Sequence, residues 1–130
     1  MAKILIADDD LANQWAAVRT LARSGHDLVE AKSATHALAY LEAYGADLII
    51  LDLHLPGAAG AKVCRQVRAA SGLERVPVLI LSNQFGPDDV QAAWQAGADL
   101  VVAKPLSCSA LDEVVDHLLQ ANLAAVPQAA

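Results

Sequence analysis

The sequence predicts an α/β fold in which a five-stranded parallel sheet is covered by five helices. Short apolar segments with β character alternate with segments of helical periodicity along the 130 residues, and this alternation is typical of parallel sheets with helices on both faces. The predicted strands are Ile4 to Ala7, Leu28 to Ala31, Leu48 to Leu51, Val78 to Leu81 and Leu100 to Ala103. A chain of this length is expected to form one domain, at residues 1–123, followed by a tail or linker stub at residues 124–130.

Apolar periodicity and helix-terminating residues predict the five helices. The first helix is predicted to end at Gly25, the second to run from Ser33 to Gly45, and the third to cover residues 61–70. The fourth is predicted to start after Gly86 and end at Gly97, and the fifth to start at Ser109. Serine is a favoured N-cap and glycine a favoured residue after a helix. We predict that Trp15 and Trp94, on the first and fourth helices, pack in the core.

Composition excludes several classes of function. Hydrophobic residues make up 55% of the chain, but no apolar run is long enough to span a membrane and the amino terminus does not resemble a signal peptide, so we expect a cytoplasmic protein. The net charge of -6 and the lack of a Lys/Arg cluster argue against direct nucleic-acid binding. Cys64 and Cys108 form no metal-binding or redox motif and are expected to be buried or bystander thiols.

Polar residues follow four of the five predicted strands. Asp8 and Asp9 follow the first strand, Asp52 the third, Ser82 the fourth and Lys104 the fifth. The second strand has no such group at its end, which favours the flavodoxin-like strand order 2-1-3-4-5, because that order places the second strand at an edge. The cleft between the first and third strands is then expected to collect three carboxylates.

Clustered carboxylates need a counter-ion. Two like charges about 4 Å apart repel by roughly 4 kcal/mol at an effective dielectric constant of about 20. Mg²⁺ binds oxygen ligands, commonly one or two carboxylates together with phosphate oxygens. We therefore expect a Mg²⁺ site with Asp9 and Asp52 as direct ligands, Asp8 holding a metal-bound water, and the backbone carbonyl of His54 as a further oxygen.

Asp52 is the candidate nucleophile, because a carboxylate that attacks a phosphoryl donor forms an aspartyl phosphate. Lys104 would neutralise charge on the phosphoryl group. Ser82 would donate a hydrogen bond to a phosphoryl oxygen and draw the following loop inward. Asp8 or Asp52 alone could be an ordinary helix cap or loop acid, but their joint arrangement with Ser82 and Lys104 favours the functional interpretation.

These motifs resemble those of the two-component response-regulator receiver domain, the CheY-like family, over about residues 3–120. The matching segments are Ile4-Leu5-Ile6-Ala7-Asp8-Asp9-Asp10, Leu51-Asp52-Leu53-His54-Leu55-Pro56 with Gly60, Leu79-Ile80-Leu81-Ser82, and Gly97-Ala98-Asp99 with Lys104-Pro105. The resemblance implies Mg²⁺-dependent phosphoryl transfer to Asp52 from a phosphohistidine on a histidine kinase or a histidine phosphotransfer protein. The resembling proteins are phosphoacceptors and not enzymes in the usual sense, with self-catalysed transfer and slow autodephosphorylation.

The resemblance also implies that the face formed by the fourth helix, fifth strand and fifth helix changes on phosphorylation. That face would contact an output domain, a target protein or a second copy of the chain. The chain departs from the family pattern at Val101, where an aromatic residue is usual, and at Asn83, where a small residue is usual. His54 and Gln84 occupy positions that, in the family, tune phosphoryl lifetime.

Two other functions remain open from the sequence. A pseudo-receiver would keep the fold and act by phosphorylation-independent interaction, which the departures at Val101 and Asn83 favour. A small aspartyl-phosphate phosphohydrolase would need an acid two residues after the nucleophile, and His54 stands there instead.

Overall fold

The computed structural model describes residues 2–8, 11–55, 58–82, 86–104 and 107–125, without the side chains of residues 11–15, 58 and 122–125. Within these ranges, seven strands and five helices occur along the chain. They are β1 (Lys3–Ala7), α1 (Leu11–Arg23), β2 (Asp27–Ala31), α2 (Ala34–Tyr44), β3 (Leu48–Asp52), β4 (His54–Leu55), β5 (Ala58–Ala59), α3 (Gly60–Ala69), β6 (Val78–Ser82), α4 (Pro87–Gln95), β7 (Leu100–Ala103) and α5 (Cys108–Ala125).

Five strands form one parallel sheet in the order β2-β1-β3-β6-β7. The doubly wound, flavodoxin-like order predicted from the sequence is thereby confirmed, with β6 and β7 as its fourth and fifth strands. The register pairs Ala7 with Leu51 and Ser82 with Ala103. The carboxyl ends of β1, β3, β6 and β7 therefore lie side by side at one edge of the sheet.

The hydrophobic core is divided by the sheet into two clusters. One cluster contains residues of α2, α3 and α4, with Leu5, Ile49 and Ile80 from the strands. The other contains residues of α1 and α5, with Ile4 and Ile50 from the strands. All five residues of β3 and of β6 are buried, as expected for central strands of a parallel sheet covered on both faces.

Several predicted helix boundaries are confirmed by local contacts, and others shift. The Ser33 hydroxyl accepts a hydrogen bond from the His36 amide at 3.1 Å, and Gly45 after α2 has a positive φ of 68°. The fifth helix continues to Ala125, two residues into the predicted tail, whose remaining residues 126–130 lie outside the described ranges. The domain boundary at residue 123 therefore stays a prediction.

The prediction that Trp94 packs in the core is wrong, because 46% of this residue is exposed. The short helix α4 buries only Ala93 fully, which leaves the outer face of the helix to solvent. The side chain of Trp15 lies outside the described residues. Cys64 is buried and Cys108 exposed, and both are free thiols. No described helix is long and apolar enough to cross a membrane.

A short antiparallel hairpin, β4–β5, follows β3 and was not predicted. His54 pairs with Ala59 and Leu55 with Ala58, and the hairpin delivers the chain to Gly60, the first residue of α3. The Gly60 amide donates a hydrogen bond to the Leu53 carbonyl at 2.6 Å. A Cβ atom on Gly60 would collide with the Asp52 carbonyl oxygen and lie 3.0 Å from Leu53 Cα. Glycine at position 60 therefore permits α3 to begin directly against the strand that carries Asp52.

We predict that Gly60→Ala lowers the free energy of unfolding by about 3 kcal/mol, because both obstructing groups are backbone and cannot rotate away. Urea denaturation measures this loss. Gly72→Ala is the matched control, since Gly72 has a positive φ of 87° but open space around its Cβ position, and it should cost about 1 kcal/mol through strain alone. Equal losses in the two variants would contradict the steric explanation.

Candidate functional site

The predicted site residues within the described ranges meet at the carboxyl edge of the sheet. Asp8 directly follows β1, Asp52 ends β3, Ser82 ends β6 and Lys104 follows β7. These four strands are consecutive neighbours in the sheet. Strand β2 lies at the outer edge, beyond β1, and contributes no residue to this group.

Lys104 joins the two aspartates that the structure describes at this edge. Its Nζ atom lies 2.8 Å from Asp8 Oδ2 and 3.5 Å from Asp52 Oδ2. The exposed side-chain fractions are 3% for Lys104, 4% for Asp8 and 8% for Asp52. One buried ammonium group therefore forms ion pairs with two buried carboxylates. These three groups together carry a net negative charge when ionised.

The electrostatic state of Lys104 follows from these contacts. Burial alone would lower the pKa of the lysine, because an ammonium group loses hydration in the interior. The hydrogen bond to Asp8 and the negative charges of Asp8 and Asp52 outweigh burial, so the pKa is raised above its ordinary value of 10.5. Lys104 is accordingly a fixed positive charge at neutral pH.

Backbone hydrogen bonds position the site residues. The Lys104 amide donates to the Ser82 carbonyl at 2.9 Å, and the Leu53 amide donates to the Leu81 carbonyl at 2.8 Å. The His54 amide donates to Asp52 Oδ1 at 3.2 Å. The two carboxylate oxygens of Asp52 thus have different surroundings, a backbone amide at Oδ1 and the Lys104 ammonium at Oδ2.

The structure brings Asp8, Asp52 and Lys104 into contact and places Ser82, which is fully buried, at the end of the strand next to β3. Asp9, the other predicted direct metal ligand, lies outside the described residues, as do Asn83 and Gln84. The His54 side chain is exposed, and its backbone is the part that approaches Asp52. Among the residues that the structure does describe, no three His, Cys, Asp or Glu side chains form a metal-binding group.

The donor set fits a hard divalent cation. Two buried carboxylates share a single lysine, and oxygen donors are the ligands that Mg²⁺ prefers. Asp9 is adjacent in sequence to Asp8 and would add a third carboxylate. The combination of two buried carboxylates, a buried lysine and a serine hydroxyl is suited to a cation and a phosphoryl group, whose transfer depends on positioning and charge neutralisation.

Sequence reasoning missed Thr20 as a neighbour of this site. Thr20 is 7% exposed, and its hydroxyl donates a hydrogen bond to Cys108 Sγ at 3.1 Å. Together with Lys104 and Leu81, these residues line a small cavity of about 40 Å³ between α1 and α5. A threonine in the last turn of a helix gives no signal in the sequence that it will line the same cavity as the lysine of a site.

Comparison with known proteins agrees with this geometry. The family model described as the response regulator receiver domain matches residues 4–116. The chain belongs to this family. Receiver domains of two-component signalling occur both in histidine kinases and in response regulators, and the matched segment includes every site residue named above.

Two curated relatives illustrate these contexts. The chain is 34% identical over 128 residues to the sensory/regulatory protein RpfC of Xanthomonas campestris pv. campestris (strain 8004), covering 96% of this chain and 18% of that protein. It is 33% identical over 120 residues to the transcriptional regulatory protein AfsQ1 of Streptomyces coelicolor, covering 92% of this chain and 52% of that protein. The chain thus spans about a fifth and about half of these two relatives.

A solved structure with the same fold is the receiver domain of the sensor histidine kinase PA1611 from Pseudomonas aeruginosa PAO1. The TM-score is 0.85 at 25% identity, and the match covers 92% of this chain and 98% of that chain. That receiver domain holds a magnesium ion coordinated in its active-site cleft.

One departure from the usual receiver pattern can be located. Val101 lies in β7, paired with Ile80 of β6, and is partly buried against the core cluster that contains α3 and α4. A valine side chain at this position packs against neighbouring aliphatic residues and has no ring to rotate between buried and exposed positions.

Proposed function

We propose that this receiver domain accepts a phosphoryl group on Asp52 in a Mg²⁺-dependent reaction. The observation that carries the proposal is the buried contact of one lysine with two aspartates, at 2.8 Å to Asp8 and 3.5 Å to Asp52. A purely structural ion pair would need only one carboxylate. The surplus negative charge would bind a divalent cation, and this cation together with Lys104 would attract a phosphoryl group.

In the proposed reaction, an oxygen of the Asp52 carboxylate attacks the phosphorus of a phosphohistidine. A new O–P bond forms as the P–N bond breaks. The imidazole, protonated on its other ring nitrogen, leaves with the electron pair of that bond as a neutral ring. Lys104 neutralises charge on the phosphoryl oxygens, and the Ser82 hydroxyl donates a hydrogen bond to one of them. This hydrogen bond would draw the loop after β6 inward and begin the conformational change.

The metal would be held by Asp8, Asp9 and Asp52 with the backbone carbonyl of His54, Asp8 acting through a bound water. When bound, Mg²⁺ would screen the carboxylates from the incoming phosphoryl group and neutralise its developing charge. Asp8 and Asp52 are already buried and oriented by Lys104. The magnesium in the PA1611 receiver domain supports this assignment.

The proposed donor is a histidine kinase or a histidine phosphotransfer protein. RpfC and AfsQ1, a sensory/regulatory and a transcriptional regulatory protein, are consistent with a module that receives a signal and passes it on. The chain's own groups would catalyse transfer and a slow autodephosphorylation, without turnover of a separate substrate. An output domain, a target protein or a second copy would contact the face formed by α4, β7 and α5, where Trp94 is exposed.

A phosphorylation-independent pseudo-receiver is the second candidate, and Val101 is the observation that favours it. Without an aromatic residue at this position in β7, the ring rotation that accompanies activation in related domains has no counterpart. The retained Asp8, Asp52, Ser82 and Lys104 favour the phosphoacceptor.

The test is the intact mass of the protein after incubation with acetyl phosphate, with Mg²⁺ and with EDTA. We expect the addition of one phosphoryl group in Mg²⁺ alone, located by peptide fragmentation on Asp52. Beryllofluoride binding, followed by ¹⁹F NMR, gives a second readout that does not depend on the donor. A folded protein that gains no mass and binds no beryllofluoride would favour the pseudo-receiver.

A further inference from the structure

The turn that directly follows α4 is bound by side chains of α3. Carbonyls in the last turn of α4 accept backbone amides of this turn, and the next two carbonyls along the chain accept side-chain donors. Here the Ala96 carbonyl accepts a hydrogen bond from Cys64 Sγ at 3.5 Å. The Gly97 carbonyl accepts two from Arg68, from Nε at 3.0 Å and from Nη2 at 2.8 Å. Burial raises the pKa of the Cys64 thiol despite the nearby Arg68 charge, so the thiol keeps its proton and remains a donor.

The other donors of Arg68 tie this end of α4 to two further segments. Nη1 donates to the Val76 carbonyl and, at 3.2 Å, to the Glu74 carbonyl, while Nη2 also contacts Asp99 Oδ2 at 2.7 Å. Each of the five N–H groups of the guanidinium therefore has an acceptor. Asp99 Oδ2 in turn accepts the Val78 amide at 2.8 Å. One side chain thus links α3, the segment before β6 and the turn between α4 and β7.

The turn itself is shaped around Arg68. Gly97 has a positive φ of 101°, and a Cβ atom there would lie 2.9 Å from Arg68 Cγ. The close approach of the backbone to the arginine stem requires glycine for room as well as for conformation. Displacement of this turn would break several charge-assisted hydrogen bonds together.

The amino end of α4 lacks comparable anchors in the described part of the chain. Its N-cap residue is Gly86, which has no side chain to cap the helix. The Gly86 amide donates at 2.9 Å to Asp89 Oδ2, which belongs to the first turn of the same helix. Ala93, near the carboxyl end, is the fully buried residue of α4, whereas α3 buries five residues.

We propose that Arg68 makes the carboxyl end of α4 a fixed pivot, so that movement of α4 on phosphorylation is confined to its amino-terminal turns. The proposal rests on the proposed function, because the movement begins at Ser82, ahead of the amino end of α4. Helix α3 connects the two places physically. It begins at Gly60 against the Asp52 backbone and carries Arg68 in its last turn, so the pivot and the site are joined by one helix.

The test compares amide hydrogen exchange by NMR in Mg²⁺ with and without beryllofluoride, for wild type, Arg68→Met and Arg65→Met. Arg65 lies on the same helix with an exposed side chain, so Arg65→Met is the matched control. In wild type and control, beryllofluoride should change exchange at residues 88–91 and leave residues 94–98 unchanged. In Arg68→Met, basal exchange at residues 94–98 should rise roughly tenfold or more, and the beryllofluoride response should extend along the whole of α4.

A wild-type response that already includes residues 94–98, or an Arg68→Met response still confined to residues 88–91, would overturn the pivot while leaving the phosphoacceptor function intact. A folded wild-type protein with no response anywhere would instead overturn the proposed function. If Arg68→Met does not fold, Arg68→Lys keeps the charge with a single donor nitrogen. It should show the same extension of the response, and a confined response in that variant would count against the pivot.

Discussion

Asp52→Asn is expected to abolish the Mg²⁺-dependent phosphoryl adduct completely. The amide has nearly the size and shape of the carboxylate, but it has no negative charge and is a poor nucleophile. Lys104 keeps its 2.8 Å contact with Asp8 in this variant, so the fold and the lysine position should be preserved. Intact mass after incubation with acetyl phosphate gives the result, and far-ultraviolet circular dichroism verifies folding.

The matched control for this experiment is Asp116→Asn, the same chemical change at an exposed residue of α5. It should gain one phosphoryl group as the wild type does. An adduct of undiminished amount in Asp52→Asn would assign the acceptor role to another residue, and Asp8 would be the first to examine.

Lys104→Met is expected to slow phosphorylation by acetyl phosphate by roughly 10²- to 10³-fold, the usual effect of removing one preorganised donor from developing negative charge. Methionine retains the length of the buried stem. The rate of mass gain at saturating acetyl phosphate and Mg²⁺ measures the effect. Lys32→Met, which removes the same charge at an exposed position, should leave the rate unchanged, and similar rates for both variants would exclude a role for Lys104 in transfer.

Lys104→Met should also lower the free energy of unfolding in EDTA by about 3 kcal/mol, because it leaves the buried carboxylates of Asp8 and Asp52 without the lysine ammonium group. Added Mg²⁺ should restore more stability to Lys104→Met than it adds to the wild type. A Mg²⁺ effect of the same size in both proteins would show that the ion and the lysine do not compensate the same charges.

Alkaline pH should lower the free energy of unfolding of the wild type, as Lys104→Met does. Because the folded-state pKa of Lys104 is raised above 10.5, its contribution to stability is fully present below that value and is lost as the pH rises through the folded-state pKa. Lys104→Met should lack this part of the alkaline loss, which urea denaturation across that range would measure.

The sequence was most informative where a single strand determines the position of a residue. Asp52 and Ser82 could be assigned to strand ends because each terminates a short apolar run, and parallel strands bring such ends to one edge. The strand order followed from the lack of a polar group after the second strand. Direct contact between Lys104 and both Asp8 and Asp52 was not specified, since it depends on side-chain conformation at the ends of three separate strands.

Features that depend on tertiary packing could not be predicted. The β4–β5 hairpin has strands of two residues, too short for any periodicity. Trp94 is predicted to pack in the core, but α4 buries only Ala93 fully and the tryptophan lies outside this narrow stripe. The acceptors of Arg68 lie 6 to 31 residues away, and all but one are backbone carbonyls, which every residue possesses.

The parallel sheet also determines when the site comes into existence during folding. Asp8 follows the first strand along the chain and Lys104 follows the last, and they meet only after β1, β3, β6 and β7 have paired side by side. Non-local pairings of this kind form late, because long loops must close before the contacts that reward them. A partly folded chain therefore has Asp52, the proposed acceptor, but no lysine beside it. Phosphorylation would consequently occur only on molecules whose sheet has formed completely, and partly folded molecules would not signal.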